Sequence, residues 1–290
     1  MIILEPDGGD VYAHLALEEF MLDRLDELGP SLLFWKSAPA VVIGKNQNPW
    51  RECDWTALCR DQVRLARRIS GGGTVYHDEG NVNYALILPR ATYREDEVLA
   101  LVLEALRQCG LEAGRMNKNS LAVGNRKISG SAFCYRRNAV LHHGTMLLNT
   151  DLARLKNYLA ASALFIETRA IASIPAQVMN TAMDETTLRA AWMDVFTSRF
   201  GAASYHGLPL ASWQSDLDSL RARHASQDWL WGHTPAFSWR LDLPEGRVSG
   251  TAEKGRIVTL QGDHPMVPEW QTSLIHHYFP DAESAMRGQY

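Results

Sequence analysis

Three consecutive glycines, Gly71 to Gly73, inside the segment RRISGGGTVYHDEGN (67–81), restrict what this chain can fold into more than any other feature. Backbone without side chains packs nothing and loses much conformational entropy on folding, so a fold keeps it for a tight turn or for close approach of another group. The neighbours decide between the two. Arg67 and Arg68 precede the run, and a guanidinium binds phosphate oxygens in pairs, while bare backbone N–H groups can complete an anion site. The pattern is neither GxGxxG nor GxxxxGK[ST], and no long helix follows Gly73, so neither familiar nucleotide fingerprint is matched. Asp78 and Glu79 read either as acids positioning a metal or as an exposed turn pair.

Around this run the hydrophobic pattern alternates between helix and clustered strands. Ala13, Ala16, Leu17, Phe20 and Met21 lie on one helical face. SLLFW and AVVI read as strands divided by Ser37 to Pro39, and VRLARRI, TVYH and NVNYALILP follow with strand character. Val98 to Leu106 has helical spacing ending near Gly110. NRKISGSAF and VLHHGTMLLN read as strands, the first entered from a turn at Gly124 and Asn125. Helices are expected near 152–159 and from Asp184 to Phe200, with Gly201 at the C-terminal cap position. Because strands cluster and do not alternate regularly with helices, the expected fold is α/β with mixed, mostly antiparallel sheets.

Residues 201–212 have a linker's composition, which divides the chain into a first unit, 1–205, and a small second α/β unit, 213–290. The second is too small for a large core of its own and is expected to pack on the first.

With 29 basic against 33 acidic residues, the net charge of -4 gives no overall footprint for nucleic acid or membrane. The N-terminus lacks the basic start and apolar centre of a signal peptide. No apolar run approaches the roughly 20 residues that span a bilayer. Cys53, Cys59, Cys109 and Cys134 form no CxxC pair, which argues against a zinc site or a disulfide framework and makes the cytoplasm the expected compartment.

A second chemical cluster is NRKISGSA, 125–132, followed by LHHGTMLLN, 141–149. Lys127 stands between a turn and a Gly-Ser pair, where its ammonium can point into a cleft floored by small residues. His142 and His143 are adjacent on a strand and so face opposite sides, which prevents both from holding one ion.

Taken together, RRISGGGTVYHDEGN, NRKISGSAF and HHGTMLLNTDLARL, in this order and spacing, resemble the lipoate–protein ligase A family, a relative of biotin protein ligases and octanoyltransferases. NPWRECD, VRLARR and WLWGHTPAFSW resemble further segments of the longer bacterial ligase, so the likeness covers most of the chain. It implies a biotin/lipoate ligase-like catalytic domain and a two-step reaction: free lipoate and ATP give lipoyl-AMP and pyrophosphate, and the lipoyl group then passes to a lysine of an acceptor. The implied acceptors are lipoyl domains of 2-oxoacid dehydrogenase complexes or glycine cleavage H-type protein. By the same resemblance Arg68, Gly73, Thr74, Val75, Tyr76 and Lys127 bind ATP and the adenylate, while Gly72, His77, Lys127, Gly130 and His143 bind lipoate. Lys127 is the catalytic residue, Mg²⁺ assists the leaving pyrophosphate, and Val75, Ala85 and Ile87 are candidates to line a tunnel for the apolar tail.

Three departures from the family pattern accompany the likeness. Asn119-Ser120 stands where many members carry Asn-Asp, which removes a candidate Mg²⁺ carboxylate. Pro175 and Gln177 stand in a segment often rich in arginine, and the C-terminal unit is shortened. Two other readings therefore remain: an octanoyl or lipoyl transferase working through a cysteine such as Cys134, and a non-catalytic lipoate-binding partner.

Overall fold

The computed structural model describes residues 1–160, 164–201 and 210–288. Most of the linker expected at 201–212 lies outside the described residues. Among them are fourteen strands: β1 (Ile2–Leu4), β2 (Ser31–Trp35), β3 (Ala40–Ile43), β4 (Arg64–Arg67), β5 (Val75–His77), β6 (Asn81–Pro89), β7 (Gly114–Asn117), β8 (Ser120–Val123), β9 (Arg126–Tyr135), β10 (Ala139–Leu147), β11 (Phe165–Thr168), β12 (Phe237–Leu243), β13 (Gly246–Glu253) and β14 (Arg256–Gly262). They form three sheets, ordered β1-β2-β6-β10-β9-β8-β7, β4-β3-β5 and β11-β12-β13-β14. Only β1/β2 and β3/β4 pair in parallel, so the sheets are mixed and mostly antiparallel as the strand clustering predicts.

The apolar run of β6 is buried because helices cover both faces of the large sheet. Val82, Tyr84, Leu86 and Leu88 pack with helices Glu95–Gln108 and Glu185–Phe200, while Ala85 and Ile87 pack against helix Val11–Asp23. This strict alternation is the two-residue period of a strand. The helix ends carry the expected signals. The Asp184 carboxylate accepts from the Thr187 N–H at 2.8 Å, and Gly201, at φ 99°, closes the same helix.

A third core joins the small sheet to the C-terminal residues. Trp50 stacks on Trp231 and Phe237 with centroids at 5.4 and 5.2 Å and meets the edge of Phe279 at 4.9 Å. Val41, Ile43 and Tyr76 share that cluster with Trp239, Val248 and Ile257. Edge strand β11 also comes from before residue 205, so the sheet of β12 to β14 is completed by the first part of the chain. No helix of the described residues is long and apolar enough to cross a membrane.

Candidate active site

A cavity of about 660 Å³ opens between the glycine run, the β8–β9 hairpin and segment 171–177. Leu15, Trp35, Val42 and His77 line its inner end and are almost wholly buried, whereas Met116, Ile171 and Ile174 stand exposed at its mouth. Of the residues singled out above, Arg68, Gly72, Gly73, Thr74, Val75, His77, Lys127, Gly130 and His143 line this cavity. Tyr76 does not. Its ring lies on the opposite face of β5, in the aromatic core beside Tyr158, so this position offers the cavity no side chain. Ala85 and Ile87 also face elsewhere, under helix Val11–Asp23; of the three tunnel candidates only Val75 lines the wall.

The two arginines before the glycine run separate by strand parity. Arg67, fully buried, donates to the carbonyls of Lys45 and Gln47 at 2.9 Å each, to Leu230 O at 2.6 Å and to Thr234 Oγ1 at 2.9 Å. It ties β4 to the C-terminal segment and is not a phosphate ligand. Arg68 turns to the cavity side, where its guanidinium donates to Gly71 O at 2.6 Å, Gly73 O at 2.7 Å and Val42 O at 3.1 Å. Burial pushes its pKa down to about 10, so it stays charged at neutral pH.

Arg68 thereby shapes the glycine turn. Gly72 has φ +85°, a region that suits glycine, and a Cβ there would lie 3.0 Å from the guanidinium. In a trans peptide the N–H points opposite to the C=O. Turning the Gly71 and Gly73 carbonyls onto Arg68 therefore directs the N–H groups of Gly72 and Thr74 away from it. Thr74 N–H donates to Ser173 Oγ at 2.8 Å, whereas the N–H groups of Gly71, Gly72 and Gly73 have no hydrogen-bond partner among the described residues. A row of unpaired backbone donors beside a cavity is a site for an anion.

Lys127 reaches the same place by a local irregularity. Leu121 pairs with Ser129 and Ala122 with Lys127, leaving Ile128 as one extra residue in β9. Such a bulge re-aims the chain. Ile128 enters the core, while Lys127 lines the cavity together with Gly130 and Ala132. The lysine lies over Gly130, where a Cβ would come within 2.8 Å of Nζ. Its ammonium has no hydrogen-bond or ion-pair partner among the described residues, and burial, aided by the Arg68 charge, lowers its pKa. The cavity wall carries Arg68, Lys118 and Lys127 against Glu18 as its one carboxylate.

His143 faces the cavity and His142 the core, on opposite sides of β10. His143 Nδ1 lies 2.7 Å from Glu18 Oε2 and Nε2 lies 2.6 Å from Ser70 Oγ. Neither ring nitrogen of His77 has a partner among the described residues. Burial holds His77 and His142 down to about 3, so both are neutral in the native protein. In the unfolded chain they titrate near 6.5. Between these values the unfolded state binds more protons, and stability is expected to fall with falling pH by up to about 1.4 kcal/mol per pH unit for each histidine. Melting wild type and His142→Phe across that range checks this: the variant should show a shallower slope than wild type, and equal slopes would place the acid sensitivity elsewhere.

The acid pair after the run is a turn. Asp78 accepts from the N–H of Gly80 at 2.9 Å and of Asp151 at 2.8 Å, and Glu79 is exposed. Among the described residues no group of three His, Cys, Asp or Glu side chains is placed to hold a metal. Segment 171–177 roofs the glycine run through Ser173, whose N–H donates to Glu52 Oε2 at 3.1 Å and whose hydroxyl accepts from Gln47 Nε2 at 3.1 Å. Sequence reasoning missed Glu18, Ser70, Gln47 and Ser173. Only Glu18 carried a signal, as one of two adjacent acids in the middle of a mostly apolar helix.

Residues 10–200 match the family model described as the lipoyl protein ligase A/B catalytic domain. A lipoate-protein ligase A of Psychrobacter cryohalolentis is 33% identical over 253 residues, which cover 83% of this chain and 75% of that protein. Among solved structures, that of P. falciparum LipL1 in complex with lipoate superposes with a TM-score of 0.69 at 22% identity, covering 96% of this chain and 90% of the other. The bi-partite lipoate protein ligase of Thermoplasma acidophilum, described with its E2 lipoyl domain, gives 0.64 at 25% identity, covering 79% and 94%. With two thirds of its length inside the catalytic-domain model and a third of the aligned residues identical to a named ligase, the chain belongs to the lipoate–protein ligase family.

Proposed function

We propose that this protein is an ATP-dependent lipoate–protein ligase, with residues 1–205 as its catalytic unit and 213–290 as a reduced accessory unit. One observation carries the reading: a half-buried Lys127 ammonium, without a hydrogen-bond or ion-pair partner among the described residues, shares a cavity with the unpaired N–H groups of Gly72 and Gly73 and an apolar inner end. An uncompensated buried cation is unfavourable until an anion arrives. A chain-like acid with an apolar tail fits both ends, the tail against Leu15, Trp35, Val42 and Val75 and the carboxylate near Lys127.

In the first step a lipoate carboxylate oxygen bonds to the α-phosphorus of ATP as the bond to pyrophosphate breaks. Two anions must approach one another, and Lys127 and the glycine N–H groups lower that repulsion and steady the transition-state charge. Arg68 acts by holding the glycine turn open to the anion. In the second step the neutral amine of an acceptor lysine attacks the lipoyl carbonyl carbon. The N–C bond forms, the bond to AMP breaks, and the surplus proton passes to solvent. The acceptors are lipoyl domains of 2-oxoacid dehydrogenases or an H-type protein of glycine cleavage, and the compartment is the cytoplasm. Mg²⁺ enters with ATP. Ser120 stands on the wall, and among the described residues no group of three His, Cys, Asp or Glu side chains is placed to hold the metal, so no step is assigned to it.

The transferase reading needs a cysteine at the cavity, and none of the four lines it. Cys134 packs under helix Val11–Asp23, with its thiol pushed up by burial. Cys134→Ser is therefore expected to leave pyrophosphate release and acceptor modification intact, and a lipoyl thioester on Cys134 that proceeds to product would overturn this. The reading as a whole is tested by lipoate-dependent exchange of pyrophosphate into ATP. Exchange supports a ligase, transfer from octanoyl carrier protein alone a transferase, and binding without either a non-catalytic partner.

A further inference from the structure

A continuous chain of buried hydrogen bonds runs from the apolar end of the cavity to the glycine run. Trp35 Nε1–H donates to Glu18 Oε1 at 2.9 Å, His143 Nδ1 lies 2.7 Å from Glu18 Oε2, His143 Nε2 lies 2.6 Å from Ser70 Oγ, and Arg68 Nε–H donates to Ser70 Oγ at 3.0 Å. Arg68 then grips the Gly71 and Gly73 carbonyls. Glu18, Ser70 and Arg68 are at most 5% exposed and His143 is 8% exposed, so water replaces none of these bonds readily.

The donors and acceptors match in one arrangement of a neutral imidazole. A carboxylate only accepts, so Glu18 takes the Trp35 N–H and a proton from His143 Nδ1. Nε2 must then accept, and its donor is the Ser70 hydroxyl. The Ser70 oxygen in turn accepts from Arg68. Glu18 thus supplies the negative charge opposing Arg68 although the two side chains do not touch.

We infer that Glu18, His143 and Ser70 are positioning residues that fix Arg68, and through it the peptide plane between Gly71 and Gly72, in the orientation that presents the Gly72 N–H to an anion. Glycine peptides rotate easily. A rotated plane would present a carbonyl oxygen to the phosphate in place of an N–H. The relay prevents this at Gly72 by anchoring the Gly71 carbonyl on a guanidinium whose own orientation is set from behind, while the Gly73 carbonyl on the same guanidinium keeps the Thr74 N–H on Ser173 Oγ. Ser70 resembles the nucleophile of a serine–histidine–acid triad, but it is 1% exposed, is absent from the cavity wall and already accepts from Arg68.

This inference rests on the ligase reading, and the test separates the two. Lipoate-dependent pyrophosphate release is measured for wild type, Glu18→Gln, Ser70→Ala and the double variant, with thermal melts alongside. Ser70→Ala removes a single oxygen and carries the test if Glu18→Gln folds poorly. Each single change is expected to lower kcat about 10- to 100-fold with lipoate KM within about threefold of wild type, as misplacement of a catalytic loop does. The double variant should be little worse than the poorer single one, because the chain is broken once. Nitrogen NMR of wild type should show His143 as the Nδ1–H tautomer. An Nε2–H tautomer, unchanged kcat in both variants, or a raised KM with intact kcat would overturn the inference, as would a lipoyl ester trapped on Ser70. No pyrophosphate from wild type would remove the ligase reading and the inference with it.

Discussion

Lys127→Ala is expected to lower lipoate-dependent pyrophosphate release by about 100-fold or more, by analogy with the roughly 3 kcal/mol lost with one donor from an oxyanion site. Folding should not suffer. In the ligand-free protein the ammonium bears a desolvation cost with no partner to offset it, so removing it is expected to leave the melting temperature unchanged or higher. That pairing of lost activity with retained stability separates a site lysine from a structural one. Lys127→Arg should rescue poorly, because the side chain lies directly over Gly130 and a planar fork needs more room than a compact ammonium. A well-folded Lys127→Ala protein with near wild-type adenylation would remove the central residue of the proposed site.

The largest effect on stability is expected from Arg67→Met. The change leaves the carbonyls of Lys45, Gln47 and Leu230 without this donor inside a core, at about 1–3 kcal/mol for each group left unpaired. After partial relaxation the net loss is expected to be about 3–5 kcal/mol, a drop on the order of 10 °C in melting temperature. All acceptors of Arg67 are neutral, so Arg67→Lys, with three donors in place of five, should recover part of the loss. A melt within 2 °C or so of wild type for Arg67→Met would show that the aromatic cluster around Trp50 holds the C-terminal segment without it.

Both predictions depend on which of two adjacent residues faces which way, and there the sequence was least legible. Strands with a clear period, such as β6, and helices with marked ends, such as Glu185–Phe200, could be read directly. β7 could not, because Gly114–Asn117 is exposed along its whole length and has no apolar face. Nor could β13, whose glycines look like loop residues; Gly250 is required there because the Trp239 ring and the Thr259 backbone close on it. At the site the motifs marked the glycine run, Arg68, Lys127 and His143. Charge alone did not separate Arg67 from Arg68; the resemblance assigned only Arg68 to the adenylate, and the physical reason, strand parity against a distant segment, lay outside the sequence. Glu18 and Ser70 escaped because their importance lies in partners 125 and 73 positions away along the chain.

The extra residue in β9 has a consequence for how the enzyme is made. The pair Ala122–Lys127 lies on the turn side of the extra residue, so if the β8–β9 hairpin closes without its bulge Lys127 keeps its face, while the residues of β9 beyond Ile128 change frame and Ser129 takes the place of Gly130 beneath the ammonium. That frame turns Phe133 out of the core and puts Ala132 in its place, which buries less apolar surface, so the correct frame is selected by energy, but only once the core against helix Glu95–Gln108 has formed. Until then the two closures compete on nearly equal terms, because the turn at Gly124 and Asn125 is common to both. The yield of active sites in a newly synthesised population is therefore expected to follow consolidation of the helical layer and not closure of the hairpin itself.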